Sequence, residues 1–121
     1  MTFSGTFYRT DGAITVTTGA GAGAIDFTGA DPTVTTSQDA VEFVGGDILL
    51  ADGANLTIQT NIGNPGSSNG GNIIVAGAIA GSSDENLTLT TGTVGTTGNV
   101  SVHAIGAVSY THLTLPTMFE V

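Results

Sequence analysis

Two carboxylates in this chain have a placement that could serve the cleavage of glycosidic bonds. Asp26 and Glu42 each stand between two apolar residues, so the alternation of a β-strand places both side chains on the outer face. Two outward carboxylates on neighbouring strands can form the acid and base pair of a glycosidase or a lyase. Such a site also needs clustered Asp with basic residues, and Arg9 is the sole Lys or Arg of the chain. We therefore interpret both carboxylates as solubilising surface charge.

Acidic residues in Gly-rich turns raise a second possibility, calcium binding. The segment Gly45–Gly53, GGDILLADG, shares Gly and Asp positions with calcium-binding nonapeptide repeats, but the second Gly-x-Asp spacing is absent. Asp47 and Asp52 are therefore expected to be turn residues. Asp84 and Glu85 follow two Ser and are expected to lie in a solvated loop, with cation capture as the minority alternative.

The remaining reactive side chains give no recognisable catalytic pattern. His103 follows an inward-facing Val and should face solvent as a surface residue. Asn55, Asn86 and Asn99 each begin a glycosylation sequon, yet each also lies where a turn passes into a strand, which explains the residue without a sugar. We predict no catalytic, cofactor-binding or metal-binding residue, and no cofactor.

The composition indicates that β-strands are the elements that position these side chains. Of 121 residues, 19 are Gly and only 9% are charged, against roughly 25% in ordinary globular domains. Such a chain lacks the charged faces of amphipathic helices and favours strands with outward Thr, Ser, Asn and Gln. The net charge of −9 makes contact with nucleic acid or an anionic membrane unfavourable. The chain has no cysteine, so disulfides, thiolate zinc sites and cysteine nucleophiles are excluded.

The apolar runs of this chain are all short. No apolar run approaches the roughly 20 residues that span a bilayer, so we expect no membrane insertion in this segment. The first residues, MTFSGTFYRTDG, lack the basic region and apolar core of a signal peptide. We therefore expect this chain to be a fragment of a longer protein.

Short alternating runs predict an all-β chain without helices. Apolar and polar residues alternate within each run, and turn signals such as Asp-Gly and Asn-Gly separate the runs. The candidate strands centre on Phe3–Tyr8, Ala13–Thr17, Ala24–Phe27, Thr33–Thr35, Val41–Val44, Asp47–Leu50, Leu56–Gln59, Ile73–Val75, Ala78–Ile79, Leu87–Leu89 and Val100–Val102.

Internal repetition distinguishes between the all-β architectures. GDILLADGANLTIQT, GNIIVAGAIAGSSDENLTLTT and GNVSVHAIG share a G-[DN]-[IV]-x-[LV] opening, and the first two continue to N-L-T-[IL]-x-T. Such a repeat predicts stacked coils of a solenoid, in which the insertion Asn61–Gly71 emerges on one face. A small β-sandwich built from hairpins is the alternative fold.

The last residues differ from the rest of the chain. Val108–Thr117, VSYTHLTLPT, resembles one translated frame of a common transposon-type sequencing adapter, and the flanking residues Ala107, Met118 and Val121 are ones that the adjoining adapter bases can encode. We interpret residues 1–107 as the β-strand repeat and 108–121 as an artefactual tail. On this interpretation Tyr110, His112 and Glu120 have no evolved role.

The repeat region resembles the β-strand arrays of large bacterial surface and secreted proteins of the filamentous haemagglutinin and autotransporter-adhesin type. The resemblance rests on GAITVTTGAGAGAIDFTGA, VEFVGGDILLADGANLTIQT, GGNIIVAGAIAG and NLTLTTGTVGTTGNVSVHAIGA. It implies a right-handed parallel β-helix that serves as an adhesive rod, without catalysis, outside the cell or on its surface. The implied partners are neighbouring repeats of the parent chain and host or matrix glycans or proteins.

Two other functions stay open at this point. One is a fragment of a β-helical carbohydrate-active enzyme, either a polysaccharide lyase or a hydrolase, which a cluster of Asp with Lys or Arg on one outer face would favour. The other is a calcium-stabilised secreted array, which a calcium-dependent rise in melting temperature would support.

Overall fold

The alternating runs form β-strands throughout the described chain. A computed structural model describes residues 1–18, 24–61, 70–81, 85–92 and 98–106, together with the backbone of 109–113. Within these ranges every regular element is a strand. The strands are β1 (Thr2–Phe3), β2 (Phe7–Thr10), β3 (Ile14–Thr17), β4 (Ile25–Phe27), β5 (Thr33–Thr36), β6 (Val41–Val44), β7 (Ile48–Leu50), β8 (Asn55–Gln59), β9 (Ile73–Ala80), β10 (Asn86–Thr90), β11 (Val100–Ile105) and β12 (Ser109–Leu113).

The strands stack in three columns. Column 1 holds β2, β5, β8, β10 and β12, and column 2 holds β3, β6 and the first parts of β9 and β11. Column 3 holds β1, β4, β7 and the last parts of β9 and β11. All the pairings between these named strands are parallel. The chain is therefore a parallel β-solenoid of stacked coils, as the repeat predicts, and not a sandwich of hairpins.

Register follows the repeat in column 1. Asn55 pairs with Asn86, and the four residues after each pair in the same order. Thr33 pairs with Thr57, which places Asp31-Pro32-Thr33 in line with Asn-Leu-Thr of the next coil. The column therefore contains a third copy, [DN]-x-T-[VIL]-x-T, that the two-copy comparison of the sequence overlooks.

The repeated G-[DN]-[IV] opening does not occupy one register position of the solenoid. Ile73 and Val100 start paired strands in column 2, whereas Ile48 pairs with Ile79 in column 3. The opening thus marks the entry from a turn into a strand at two different corners. Its recurrence reflects local turn chemistry and not one repeating position.

Inward positions form one continuous core. Its largest side chains at the N-terminal end are aromatic: Phe3 stacks on Phe27 at 5.1 Å between ring centroids, and Phe27 meets Phe43 edge to face at 6.0 Å. Further along the chain the core is aliphatic. The buried members of the whole core are Val16, Ile25, Phe27, Val34, Val41, Phe43, Ile48, Leu50, Leu56, Ile58, Ile73, Val75, Ile79, Leu87 and Leu89.

Several strand boundaries differ from those expected. The single run expected over Phe3–Tyr8 divides into β1 and β2, because the chain turns a corner at Gly5 and Thr6 between two columns. Conversely, the two runs expected on either side of Ala76 and Gly77 form one strand, β9, which pairs with β6 at its start and β7 at its end. Corners in a solenoid depend on the neighbouring coil, which alternation within one run does not encode.

The backbone of β12, which lies within the adapter-like segment, continues column 1. Ser109–Leu113 pairs in parallel with β10, with a register shift between Leu87 and Thr88 that the pairing of β8 with β10 lacks. An open strand edge offers unpaired N–H and C=O groups to any extended segment that follows. Pairing at this edge therefore requires no repeat sequence.

Candidate functional site

The candidate catalytic charges lie in three different columns. Asp26 is in β4, with Thr2 and Leu49 as its register partners in column 3. Glu42 is in β6 of column 2, and Arg9 is in β2 of column 1. The structure therefore does not bring the two carboxylates and the guanidinium together on one outer face.

Asp47 has a structural use. Its Oδ1 accepts a hydrogen bond of 2.9 Å from the backbone N–H of Ala78, its equivalent one coil later. Gly77 permits this approach, because a Cβ there would lie 2.8 Å from both Asp47 Oδ1 and the Gly46 carbonyl oxygen. Asp47 is thus a turn residue, as expected, and its carboxylate also joins two coils.

Asp31 and Asp52 lie in two turns that together line a shallow cavity of about 320 Å³ between two coils. One oxygen of Asp31 already accepts two hydrogen bonds from Asn55. Over the described residues, no group of three or more His, Cys, Asp or Glu side chains is placed to hold a metal ion.

Glu85 is buried, contrary to the expected solvated loop. Its side chain is 0% exposed. The physical reason is strand alternation: Glu85 stands two residues before the inward-facing Leu87, so it has the same parity. The nearby Gly81 leaves room for it, since a Cβ at that position would lie 2.5 Å from the Glu85 Cδ. Asp84 lies outside the described residues.

Polar side chains at one corner form a ladder through three coils. Asp31 Oδ1 accepts from both the backbone N–H and the Nδ2 of Asn55, at 3.0 and 2.7 Å. Asn55 Oδ1 in turn accepts from Asn86 Nδ2 at 2.6 Å. Two of the sequon amides are therefore engaged in holding coils together, which supports their interpretation as turn-to-strand residues.

The same device occurs at all three corners. Asn72 Oδ1 accepts from the backbone N–H of Asn99 at 2.8 Å, just as Asp31 accepts from Asn55 and Asp47 from Ala78. In each case the Asp or Asn lies one or two residues before a strand. Its side-chain oxygen accepts a hydrogen bond from the backbone N–H of the register equivalent in the next coil. The side chain thereby continues the hydrogen-bond ladder where the sheet is interrupted.

A row of buried threonines marks the corner between columns 1 and 2. Thr36, Thr60 and Thr91 are register equivalents, and each is 0% exposed. Each hydroxyl donates to the carbonyl oxygen of the residue at which the chain returns to column 2. These acceptors are Asp39 for Thr36, Gly71 for Thr60 at 2.7 Å, and Gly98 for Thr91 at 2.9 Å.

This threonine row holds connections of different length. The acceptor follows Thr36 by 3 positions in the chain, Thr60 by 11 positions and Thr91 by 7 positions. We call this edge of the solenoid the loop corner, defined by the three threonines and their acceptors. The expected insertion Asn61–Gly71 leaves and rejoins the solenoid here, but its residues 62–69 lie outside the described residues.

The remaining candidates are at the surface. His103 is exposed, as expected. Asn99 is also exposed, and its backbone N–H and carbonyl oxygen bond the neighbouring coil. Asp31, Asn72 and the corner threonines were not singled out from the sequence. The third copy of [DN]-x-T-[VIL]-x-T was the signal that could have identified Asp31, Thr36 and their equivalents.

No family model matches this chain. Neither a curated protein nor a solved structure shows significant similarity to it. In the described part of the chain, no helix is both long and apolar enough to cross a membrane.

Proposed function

We propose that this chain is a structural and adhesive segment of a large extracellular bacterial surface protein, with no catalytic role. The observation that carries the proposal is the loop corner. Buried threonines clamp three connections of different length at one edge of an otherwise regular rod. A rod that keeps its coils in register while its loops vary is suited to extend from a surface and to present binding loops.

The use of polar residues supports the same function. Asp31, Asp47 and Asn72 are all engaged in joining coils. A catalytic site would require polar groups that converge on a substrate, and these side chains serve the stacking instead. The partners we propose are neighbouring repeats of the parent chain and glycans or proteins of a host or matrix.

Loop exchange offers a direct test. Residues 61–70 are replaced by the Ser-Gln pair that connects Thr36 to Asp39, so that the Thr60 clamp is preserved with a short turn. Both proteins are then assayed against a panel of matrix proteins and glycans by surface plasmon resonance. We expect the parent chain to bind at least one panel member and the exchanged chain to lose that binding while its β-sheet circular dichroism is unchanged.

The carbohydrate-active alternative makes a different prediction. Incubation with neutral and acidic polysaccharides would release reducing ends or unsaturated uronic products if the chain cleaved them. Turnover of any panel polysaccharide, in the absence of loop-dependent binding, would contradict the adhesive function and support the enzyme.

A further inference from the structure

One outer face of the solenoid is built mainly from threonines. In β5, β8 and β10 the outward residues form two rows that run from coil to coil, because equal positions of these strands are register partners. We call these rows the outer threonine face: Thr33, Thr57 and Thr88 form the first row, and Thr35, Gln59 and Thr90 form the second. Threonine therefore fills five of the six positions.

The outer faces of the other two columns do not repeat one residue type. In column 2 the outward register partners of four coils are Thr15, Glu42, Ile74 and Ser101. In column 3 the corresponding residues are Thr2, Asp26, Leu49 and Ala80. Outward strand positions of this solenoid thus accept charged, polar and apolar side chains. The repetition of threonine is a property of the column 1 face and does not follow from strand structure alone.

The outer threonine face carries no ionisable side chain. The chain has ten Asp or Glu, and all of them lie outside the strands of column 1. Binding sites for small molecules are concave and combine aromatic or apolar walls with a few charged or polar groups. A sheet face of neutral side chains at regular intervals has neither the aromatic walls nor the charges. It favours an extended ligand that is recognised by its spacing.

The spacing of the two rows is set by the parallel sheet. Neighbouring strands lie roughly 4.8 Å apart, and residues two apart along a strand are separated by roughly 6.6 Å. Oxygen atoms repeat at comparable distances in the two directions of a prism face of ice. The branched threonine side chain is restricted at χ1, so its methyl and hydroxyl groups keep one orientation along a row. The face therefore presents a two-dimensional lattice of methyl and hydroxyl groups to water.

One hydroxyl of this face lacks a partner within the protein. Thr35 stands between the inward residues Val34 and Thr36, so strand alternation turns it to the outer face. It is 2% exposed, and its Oγ1 makes no hydrogen bond. Its register partners Arg9 and Gln59 have longer side chains, so the hydroxyl is recessed between them. Because a buried hydroxyl without a partner is costly, a water molecule held in this recess would be bound favourably.

We propose that the outer threonine face binds ice. The methyl groups of the two rows order the water above them, the hydroxyls anchor that layer, and the recess at Thr35 holds one of its molecules. The ordered layer matches the ice lattice and joins the surface of a crystal, where the bound protein blocks further growth. This proposal rests on column 1 and does not depend on the loop corner or on the adhesive function.

A tyrosine at the centre of the face tests the proposal. Thr57→Tyr raises a ring above both rows while it keeps a residue that favours strands. Thr15→Tyr makes the same change on the outer face of column 2 and is the matched control. We expect the full chain and Thr15→Tyr to inhibit the recrystallisation of ice in frozen sucrose solution, and Thr57→Tyr to lose this inhibition while its β-sheet circular dichroism is unchanged. Thr88→Tyr should show the same loss and replaces Thr57→Tyr if that variant does not fold.

Three results would overturn ice binding by this face. The first is a parent chain whose ice crystals coarsen as fast as those in an inert protein at the same concentration. The second is equal inhibition by the parent and a folded Thr57→Tyr protein, or loss of inhibition in Thr15→Tyr, since either separates the effect from the face. The third comes from sedimentation with crystalline chitin or cellulose: binding that Thr57→Tyr abolishes, without any effect on ice, would assign the face to a polysaccharide. The loop exchange tests the adhesive function separately, so either proposal can fail while the other holds.

Discussion

Asn86 donates its side-chain amide to the amide oxygen of Asn55, 31 residues earlier in the chain, at 2.6 Å. The two residues are register partners in adjacent coils. Asn55 in turn donates its own side-chain amide to Asp31 Oδ1 in the preceding coil. A residue that looks like a glycosylation site in the sequence is thus the middle of an inter-coil ladder.

Removing the middle of this ladder should destabilise the solenoid. Asn55→Ala removes the hydrogen bond from Asn55 Nδ2 to Asp31 Oδ1 and the bond from Asn86 Nδ2 to Asn55 Oδ1. Asn86 Nδ2 then lacks this acceptor, and Asp31 Oδ1 loses one of its two donors. We expect the free energy of unfolding to fall by about 1–3 kcal/mol, measured by urea denaturation. Asn99→Ala is the matched control, since this exposed Asn at the equivalent turn-to-strand position of column 2 should cost at most about 0.5 kcal/mol. Equal losses would contradict the role of the ladder.

Two buried threonines should respond oppositely to the same substitution. Thr60 donates to the Gly71 carbonyl oxygen at 2.7 Å, so Thr60→Val should cost about 1–3 kcal/mol. Thr35 is 2% exposed and its hydroxyl oxygen has no hydrogen-bond partner. Thr35→Val should therefore leave the stability unchanged or raise it, because an unsatisfied buried hydroxyl is removed. Thermal denaturation of both variants tests the contrast, and destabilisation of both by similar amounts would refute it.

Glycines at one register position should also differ. A Cβ at Gly98 would lie 2.2 Å from the Gly71 carbonyl oxygen, whereas a Cβ at Gly12 would have no atom within 4 Å. Gly98→Ala must displace backbone and should lower the melting temperature sharply. Gly12→Ala should be neutral or stabilising, by up to about 1 kcal/mol, because it restricts the unfolded chain. A Gly98→Ala protein as stable as the parent would show that the coils are not packed this closely.

The adapter interpretation is tested at the level of the DNA. Long-read sequencing across the codon of Ala107 should show further G-N-[IV] and N-L-T repeats in place of Val108–Val121. Confirmation of the tail and its stop codon in independent reads would refute the interpretation. Tyr110 and His112 would then become candidate functional residues, since β12 pairs with β10.

Local patterns predicted much of the fold because each solenoid strand can be recognised from the alternation of apolar and polar residues within its own segment. The boundaries expected for Val41–Val44 agree with β6, since the alternation of inward and outward residues is complete within that segment. The same alternation shows that Glu85 shares the parity of Leu87, although the adjacent Ser and Asp suggested a loop. The loop corner was only partly predictable. Its insertions are visible as polar, Gly-rich segments, but the clamping threonines look like any other Thr of a strand.

The sequence by itself determined that the chain is all-β and that Asn55 and Asn86 are equivalent, and its repeats favoured a solenoid over a sandwich of hairpins. These features follow from strand alternation and from repeated segments, both of which are local. Only the tertiary structure decided that Asp26, Glu42 and Arg9 lie in separate columns, that G-[DN]-[IV] marks two corners, and that the threonines stand in one row. The physical reason is that connections between columns vary in length, so the column of a residue depends on which coil it meets and not on its position in the chain.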